Sequence, residues 1–358
     1  AAIVSATAMA IVAGDIPGAL LRMPGTPASA VYADEAYLMG KKGKLGLALG
    51  INVTCSMLGG IIGVIVLALF APRIAEFALQ FTSDEYFWLA LLGLSCAILV
   101  SGKDPLKGAV SMLIGLTIAM VGMDSVSGQV RFTFGSYDLL AGVSLLPILI
   151  GLFAITELLR SIPGSGHGAP KTDVPPGCVL SGVGSTTWRY KGGVARGGLL
   201  GTMIGALPGA GADIASWISY AISRNLSRTP EKYGTGHPEG LVSASAANNA
   251  ALSGAYIPAL VFGIPGDTVT AIIIGVLTTK GITPGPDVFT EQGALVNAIF
   301  LVFVLANLLL LPLGILAIKG AGRLLTVPTG VLYPLILMFC IVGAFSANNT
   351  MFDVWIML

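Results

Sequence analysis

The stretch Ile16-Pro-Gly-Ala-Leu-Leu-Arg-Met-Pro-Gly25 has a counterpart 241 positions later, Ile257-Pro-Ala-Leu-Val-Phe-Gly-Ile-Pro-Gly266. Both copies read Ile-Pro, then six residues, then Pro-Gly, and both lie in apolar surroundings. A Pro-Gly pair interrupts one helical segment and allows another to start. Two such elements with one pattern indicate that the chain contains two related halves, each built around a broken helix.

The composition around these elements is that of a membrane protein. Hydrophobic residues make up 54% of the 358 positions, charged residues make up 10%, and the mean hydropathy is +0.86. Soluble proteins carry about 25% charged residues. The net charge of +1 argues against a nucleic-acid partner, which requires a basic surface. The four cysteines are far apart and both histidines lie in polar segments, so we predict neither a disulfide framework nor a zinc site.

Six apolar stretches are long enough to cross a bilayer, with some help from flanking residues. They lie at about 45–70, 86–101, 108–122, 138–158, 294–318 and 325–344. Loops rich in Lys and Arg alternate with poorer loops, and the positive-inside rule places the rich ones in the cytoplasm. These basic loops are 41–44, 102–107, 159–196, 224–240 and 319–323. We predict an all-α polytopic membrane protein, with an interfacial helix at 72–81.

The charge pattern also orients the two broken elements. The first leads into loop 41–44, on the inside, and the second leads into 280–293, on the outside. Equivalent elements that face opposite sides form inverted-topology repeats with discontinuous helices, as in many secondary transporters. We predict a first repeat at 1–158, a cytoplasmic connector at 159–193 and a second repeat at 194–358. Both ends of the chain lie in apolar runs, so we expect both repeats to be incomplete.

A third interrupted segment, Gly205-Ala-Leu-Pro-Gly-Ala-Gly-Ala-Asp213, supplies a further helix start. Helix N-termini present free N–H groups and a partial positive charge, which suits a carboxylate. We therefore predict that three helix starts converge on a substrate that carries carboxylates. The predicted substrate-binding residues are Arg22, Gly25, Thr26, Ser29, Gly209, Gly211, Ser216, Gly266, Thr268 and Thr270.

Few ionisable residues lie at membrane depth, and such residues are usually functional; here they are Asp15, Arg22, Asp213 and Asp267. We predict coupling to Na+ or H+ at Asp213 and Asp267, assisted by the amides of Asn248 and Asn249. No cofactor is predicted, and the only metal considered is Na+ at the two aspartates. The alternatives stay open: the aspartates cap helices, Arg22 pairs with Asp15 as an ion pair or reaches the interface, and the asparagines tie helices together.

These motifs resemble those of the TctA family, the large membrane subunit of the tripartite tricarboxylate transporters. The resemblance covers essentially the whole chain, and the motifs are specific as a set. The matching stretches are 23–29, 41–50, Gly128, 131–135, 151–157, 207–211, 239–240, 246–250, 263–266 and 281–286.

The resemblance implies secondary uptake of tricarboxylates or related small carboxylates across the bacterial inner membrane by ion-driven symport, and no enzymatic activity. It also implies two partners, a small membrane subunit similar to TctB and a periplasmic solute-binding protein similar to TctC. Three positions depart from the family pattern. Asp15 stands where Ser is common, Arg22 where Asn is common, and Ser245 where an acidic residue is common. These departures leave the carboxylate and the coupling ion open.

Two other functions were weighed against transport. An intramembrane aspartyl protease pairs a Tyr-Asp with a Gly-x-Gly-Asp, and Tyr137-Asp138 with Gly209-Ala-Gly211-Ala-Asp213 comes near this pattern. The second aspartate is one residue late, and Asp138 lies at the outer mouth of a span. A channel pore subunit also contains broken helices, but this sequence has no filter motif built from acidic residues or carbonyls. Both alternatives rank below transport.

Overall fold

The structure is a computed structural model that describes most of the chain. The described residues are 2–21, 26, 28–82, 84–85, 87–88, 91, 105–123, 129–161, 179–208, 211–324 and 329–358. Most of the predicted span 86–101 and the central part of the predicted connector, 162–178, lie outside these residues. The chain divides into two compact units.

Unit 1 comprises Ala1–Cys96, Ala169–Ile274 and Ile282–Thr326. Its helices begin with α1 (Ala2–Leu21), α2 (Ala30–Lys41) and α3 (Leu45–Ala78). They continue with α7 (Val183–Arg189), α8 (Lys191–Gly205), α9 (Gly211–Leu226), a 3-10 turn (Pro230–Lys232) and α10 (Pro238–Phe262). The last are α11 (Thr268–Thr279), which runs into unit 2, α12 (Asp287–Glu291) and α13 (Gly293–Leu324).

Unit 2 comprises Ala97–Gly168, Gly275–Gly281 and Val327–Leu358. It contains α4 (Pro105–Ala119), the strands β1 (Gly122–Met123) and β2 (Val130–Arg131), and α5 (Leu145–Leu149). A π-helical turn (Ile150–Ile155), α6 (Thr156–Ser161), α14 (Thr329–Asn348) and α15 (Met351–Met357) complete it. The strands pair antiparallel, with Gly122 opposite Arg131.

Helix α10 is the centre of unit 1, and every residue from Gly240 to Val261 is buried. Glycines on two neighbouring helices bring their backbones against it. On α3, a Cβ at Gly59 would clash with Ala246, and a Cβ at Gly63 would clash with Ser253 and Ala250. On α8, a Cβ at each of three glycines would clash with α10. The pairs are Gly197 with Ser243, Gly201 with Ala247 and Gly205 with Ala251. Small residues at helix interfaces allow this close approach, which is typical of helices packed within a membrane.

Two of the described helices are long and apolar enough to span a bilayer. They are Leu45–Ala78 and the Gly293–Gly320 part of α13, with mean hydropathies of 2.4 and 2.8. Large apolar side chains lie exposed along α13, among them Leu301, Leu305 and Leu309. An apolar surface of this kind suits contact with lipid. The helical architecture and the apolar helices agree with the predicted all-α membrane protein.

The structure corrects two details of the sequence prediction. The interfacial helix expected at 72–81 is largely the end of α3, which continues through Pro72 to Ala78. Residues 137–141 form turns, so the span expected from 138 begins only at Leu145. Pro17 and Pro258 lie inside α1 and α10, which end at Leu21 and Phe262.

Candidate functional site

The first break separates α1, which ends at Leu21, from α2, which begins at Ala30. Thr26 and Ser29 close this turn with a reciprocal pair of hydrogen bonds. The Thr26 N–H donates to Ser29 Oγ at 3.2 Å, and the Ser29 N–H donates to Thr26 Oγ1 at 3.1 Å. Backbone N–H groups before a helix are satisfied in this way by side-chain oxygens.

The second break separates α10, which ends at Phe262, from α11, which begins at Thr268. The same reciprocal pair forms here between Asp267 and Thr270. The Asp267 N–H donates to Thr270 Oγ1 at 2.9 Å, and the Thr270 N–H donates to Asp267 Oδ1 at 2.8 Å. The two boxes lie 241 positions apart, the spacing of the Pro-Gly motifs. Asp267 therefore caps α11, which is one of the roles that the sequence left open for it.

The third break, between α8 and α9, meets the other two. The Asp213 carboxylate accepts the N–H of Ala28 from the first break and lies close to Asp267 from the second. A Cβ at Gly211 would lie 3.0 Å from Asp267 Cβ, and a Cβ at Gly266 would lie 3.0 Å from the Gly205 carbonyl oxygen. We call the described residues within 26–29, 205–213 and 262–270 the break junction.

The break junction brings together many of the predicted site residues. Its members are Thr26, Ser29, Gly211, Asp213, Gly266, Asp267 and Thr270, and Thr268 begins α11 beside them. Gly211 has a φ of +58°, which a glycine adopts without strain. Arg22, Gly25 and Gly209 lie outside the described residues. Ser216 is buried one turn further along α9, and its hydroxyl donates to the Ala212 carbonyl at 3.0 Å.

The chemistry of the junction combines two signs of charge. Helices α2, α9 and α11 start here, and each start carries a partial positive charge that favours an anion. Asp213 and Asp267 bring two carboxylates to the same place, and Asp213 is exposed. Two neighbouring carboxylates favour a bound cation or a shared proton. The arrangement is therefore suited to an anionic solute together with a cation or a proton.

The two predicted asparagines of α10 have different surroundings. Asn248 Nδ2 donates to the Tyr32 hydroxyl at 2.9 Å, and this hydroxyl in turn donates to Asp15 Oδ1 at 2.6 Å. Asn249 Nδ2 donates to the Ser56 carbonyl at 2.8 Å and to Asn307 Oδ1 at 2.7 Å, which ties α10 to α3 and α13. The first joins a buried polar network, whereas the second links helices.

Sequence reasoning did not identify Tyr32, although it lies at the centre of that network. Asp15 was noted as an ionisable residue at membrane depth and Ser245 as a departure from a family pattern, and both lie beside the Tyr32 hydroxyl. Tyr32 gives no local signal in the sequence, because its partners lie 17 and 216 positions away.

Glu35 of α2 is a second residue that the sequence did not single out. It is 1% exposed, and its carboxylate accepts the N–H groups of Gly234, Gly236 and His237 as well as the Tyr220 hydroxyl. Lys42 Nζ donates to the carbonyl of Thr235 in the same loop at 2.6 Å. These bonds fasten α2 to the loop that leads into α10. The repeated glycines of Gly234-Thr-Gly236 were the available signal.

The aspartyl protease alternative requires Asp138 on a helix. Asp138 is exposed and lies in the turns at 137–141, whereas that chemistry places both aspartates on helices. Among the described residues, no group of three or more His, Cys, Asp or Glu side chains is arranged to hold a metal ion.

Comparisons with known proteins add a family to this geometry. The model of the tripartite tricarboxylate transporter TctA family matches residues 1–358. The chain is 37% identical over 342 residues to the uncharacterized 52.8 kDa protein in the TAR-I ttuC' 3'region of Agrobacterium vitis, covering 96% of this chain and 68% of that protein. It is 43% identical over 155 residues to an uncharacterized protein in the TAR-II ttuC' 3'region of the same organism, covering 43% and 64%. No solved structure matches significantly.

Proposed function

The chain belongs to the tripartite tricarboxylate transporter TctA family, and from this premise we propose that it imports tricarboxylates or related small carboxylates by ion-coupled symport. In this proposal it is the large, multi-pass subunit in the bacterial inner membrane. A TctB-like small membrane subunit and a TctC-like periplasmic binding protein complete the transporter. The binding protein delivers the carboxylate, and the large subunit moves it.

The observation that carries the proposal is the convergence of three helix starts at the break junction. A carboxylate bound there would accept N–H groups at the starts of α2, α9 and α11, with no need for a full positive charge. The hydroxyls of Thr26, Ser29 and Thr270 lie at the same place. Anionic substrates of secondary transporters bind at such half-helix N-termini.

The coupling ion belongs at the two carboxylates of the junction. Asp267 uses Oδ1 for Thr270, and Asp213 lies beside it. A Na+ ion or a proton at this pair would neutralise the repulsion between the carboxylates and between them and an anionic substrate. Substrate and ion would then bind more tightly together than separately, which is the requirement for symport.

Several features support two repeats of one pattern, which the loop charges predict to be inverted. Helices α1 and α10 end 241 positions apart, at Leu21 and Phe262. Helices α2 and α11 both have 12 residues, and the long helices α3 and α13 that follow have 34 and 32. The capping boxes keep the same spacing. The division into repeats at 1–158 and 194–358, joined by a connector at 159–193, remains our prediction.

The transport proposal is tested with the full-length protein, its small subunit and its binding protein in proteoliposomes. A panel of labelled di- and tricarboxylates that includes citrate is offered with an imposed proton or Na+ gradient. We expect accumulation of at least one carboxylate, abolished by an ionophore that collapses the gradient and by omission of the binding protein. Equal uptake without any gradient would refute symport.

The inverted repeat is tested by the sidedness of the two loops that follow the breaks. Single cysteines replace Lys44 and Glu291 in a variant without the native cysteines, and both positions are exposed. An impermeant maleimide should label residue 44 only from the cytoplasmic side and residue 291 only from the periplasmic side. Labelling of both from one side would show that the two halves have the same orientation.

A further inference from the structure

A buried carboxyl group lies outside the break junction, on the helix that precedes the first break. Asp15 is 2% exposed. Its Oδ1 accepts the Tyr32 hydroxyl at 2.6 Å, whereas its Oδ2 is buried with no hydrogen-bond partner among the described residues. A carboxylate in this position is costly, because a buried charge needs a counter-charge or a full set of hydrogen bonds.

The Tyr32 hydroxyl connects Asp15 to three more helices. It accepts Asn248 Nδ2 of α10 at 2.9 Å, and Ser245 lies beside it. The Ser245 hydroxyl donates to Asn52 Oδ1 of α3 at 2.8 Å, and Asn52 Nδ2 is a second buried atom without a partner in the described structure. The network thus joins α1, α2, α3 and α10 through side chains that are nearly all uncharged.

The groups that surround Asp15 contain a single titratable neighbour. Helix α2 contributes Tyr32, and the network that continues from it contains Ser245 and Asn248 of α10 and Asn52 of α3. Of these, Tyr32 alone can titrate, and it donates to Asp15. Among the described residues, neither a basic side chain nor a second carboxylate contacts Asp15. A proton on Oδ2 removes the buried charge at this place.

We propose that Asp15 is a proton-binding site of the transport cycle. The inference rests on the proposed function and adds a carrier for the driving ion. When the site is open to the outer solution, a proton from water bonds to Oδ2 and neutralises the carboxylate. When the site opens to the inner solution, this O–H bond breaks, the proton passes to water, and the electron pair stays on Oδ2.

The position of the network explains how the proton and the solute are coupled. Tyr32 lies in the first turn of α2, directly after the Thr26–Ser29 box, and Asn248 lies on α10, which leads to the second break. A change in the charge of Asp15 alters its hydrogen bond to Tyr32. It therefore alters the contacts that join α1, α2 and α10, the helices next to the breaks. Oδ2 is one free acceptor, which suits a proton, whereas a metal cation takes several oxygen ligands.

Infrared difference spectroscopy of the purified full-length transporter tests this with the proton itself as the probe. The acid-minus-alkaline spectrum should contain a C=O band of a buried protonated carboxyl group. Asp15→Asn should lose this band. Asp353→Asn should keep it, because Asp353 is equally buried but its Oδ2 accepts Asn348. A spectrum of Asp15→Asn that matches the wild type overturns the proposal.

Tyr32→Phe keeps the test valid if Asp15→Asn does not fold. It leaves the carboxyl group in place and removes the hydrogen bond to Oδ1, so the band should shift in frequency and remain present. An unshifted band would mean that it belongs to another residue, and the proposal would fail.

Transport then separates coupling from solute binding. In proteoliposomes with the labelled carboxylate panel, Asp15→Asn should lose proton-driven accumulation and retain exchange of labelled for unlabelled solute. Retained accumulation, or loss of exchange in a folded variant, overturns the coupling role. If the wild type moves no carboxylate while the infrared band depends on Asp15, the symport proposal has failed and the proton site stands.

Discussion

The first and second broken regions have the same spacing and the same pair of capping hydrogen bonds but different chemistry. In both, a helix ends 241 positions from its counterpart, a reciprocal capping box closes the turn, and a helix of 12 residues follows. The second member of each box is a hydroxyl, Ser29 or Thr270, whereas the first member is Thr26 in one copy and Asp267 in the other. The difference teaches that the box needs an oxygen and that the charge is an addition to it.

The helices before the two breaks differ in the same sense. Position 15 of α1 corresponds to position 256 of α10, where Tyr256 packs edge-on against the ring of Phe303 at 4.6 Å. Asp15 belongs instead to a polar network with an unsatisfied oxygen. Helix α10 is also buried along almost its whole length, whereas α1 has exposed and half-buried positions. Packing is therefore concentrated on the second copy, and each copy has its own titratable group.

The largest effect should come from filling the close contact between α8 and α10. In Gly201→Val the new side chain would meet the backbone of Ala247, which cannot move aside as a flexible side chain could. We expect a loss of at least about 3 kcal/mol of stability, which is enough to prevent accumulation of folded protein. Fluorescence-detected gel filtration of the solubilised protein measures the folded fraction.

Gly192→Val is the matched control on the same helix. A Cβ at Gly192 would have nothing within 4 Å, so this variant should elute like the wild type. If both variants fold equally well, the glycine contacts do not hold α10 in place. The conclusion that packing is concentrated on the second copy is then wrong.

The next effect concerns the charge that distinguishes the boxes. Asp267→Thr gives the second box the composition of the first box, because Thr26 occupies that position there. The capping bonds can re-form, so stability should change by no more than about 1 kcal/mol. Gradient-driven uptake should be lost, because one of the two junction carboxylates is gone. Uptake at the wild-type rate would assign Asp267 to capping alone.

A smaller and symmetrical effect is expected from the hydroxyls shared by the boxes. Ser29→Ala and Thr270→Ala each leave one backbone N–H without its side-chain acceptor, that of Thr26 or of Asp267. Each should cost about 1 kcal/mol, the usual loss for a helix cap. Thermal unfolding in detergent compares the two variants directly. A large difference between them would break the equivalence of the two regions.

Features that repeat along the chain were predictable, and contacts between distant residues were not. The repeated Pro-Gly motifs indicated where α1 and α10 end, because proline and glycine both weaken a helix. Pro17 and Pro258 lie inside α1 and α10, since a buried helix tolerates a single proline when neighbouring helices compensate. The bond of Tyr32 to Asp15 and the loop around Glu35 depend on how helices pack, and no local pattern encodes that packing.

The smallest expected effect is a dependence of folding stability on pH. It arises where Glu35 of α2 binds the loop that leads into α10. Glu35 of the first region holds the backbone of His237, and burial lowers the pKa of this imidazole, although Glu239 and Glu35 act in the opposite direction. The folded state therefore binds a proton less readily than the unfolded state does. The contribution of His237 to stability is fully present above the ordinary histidine pKa of about 6.5 and declines as the pH falls below it.

Thermal unfolding of the wild type should show this decline, and His237→Gln should reduce it. Glu239→Gln removes the main opposing charge and should steepen it. If His237→Gln leaves the dependence of thermal stability on pH unchanged, a group other than His237 causes that dependence.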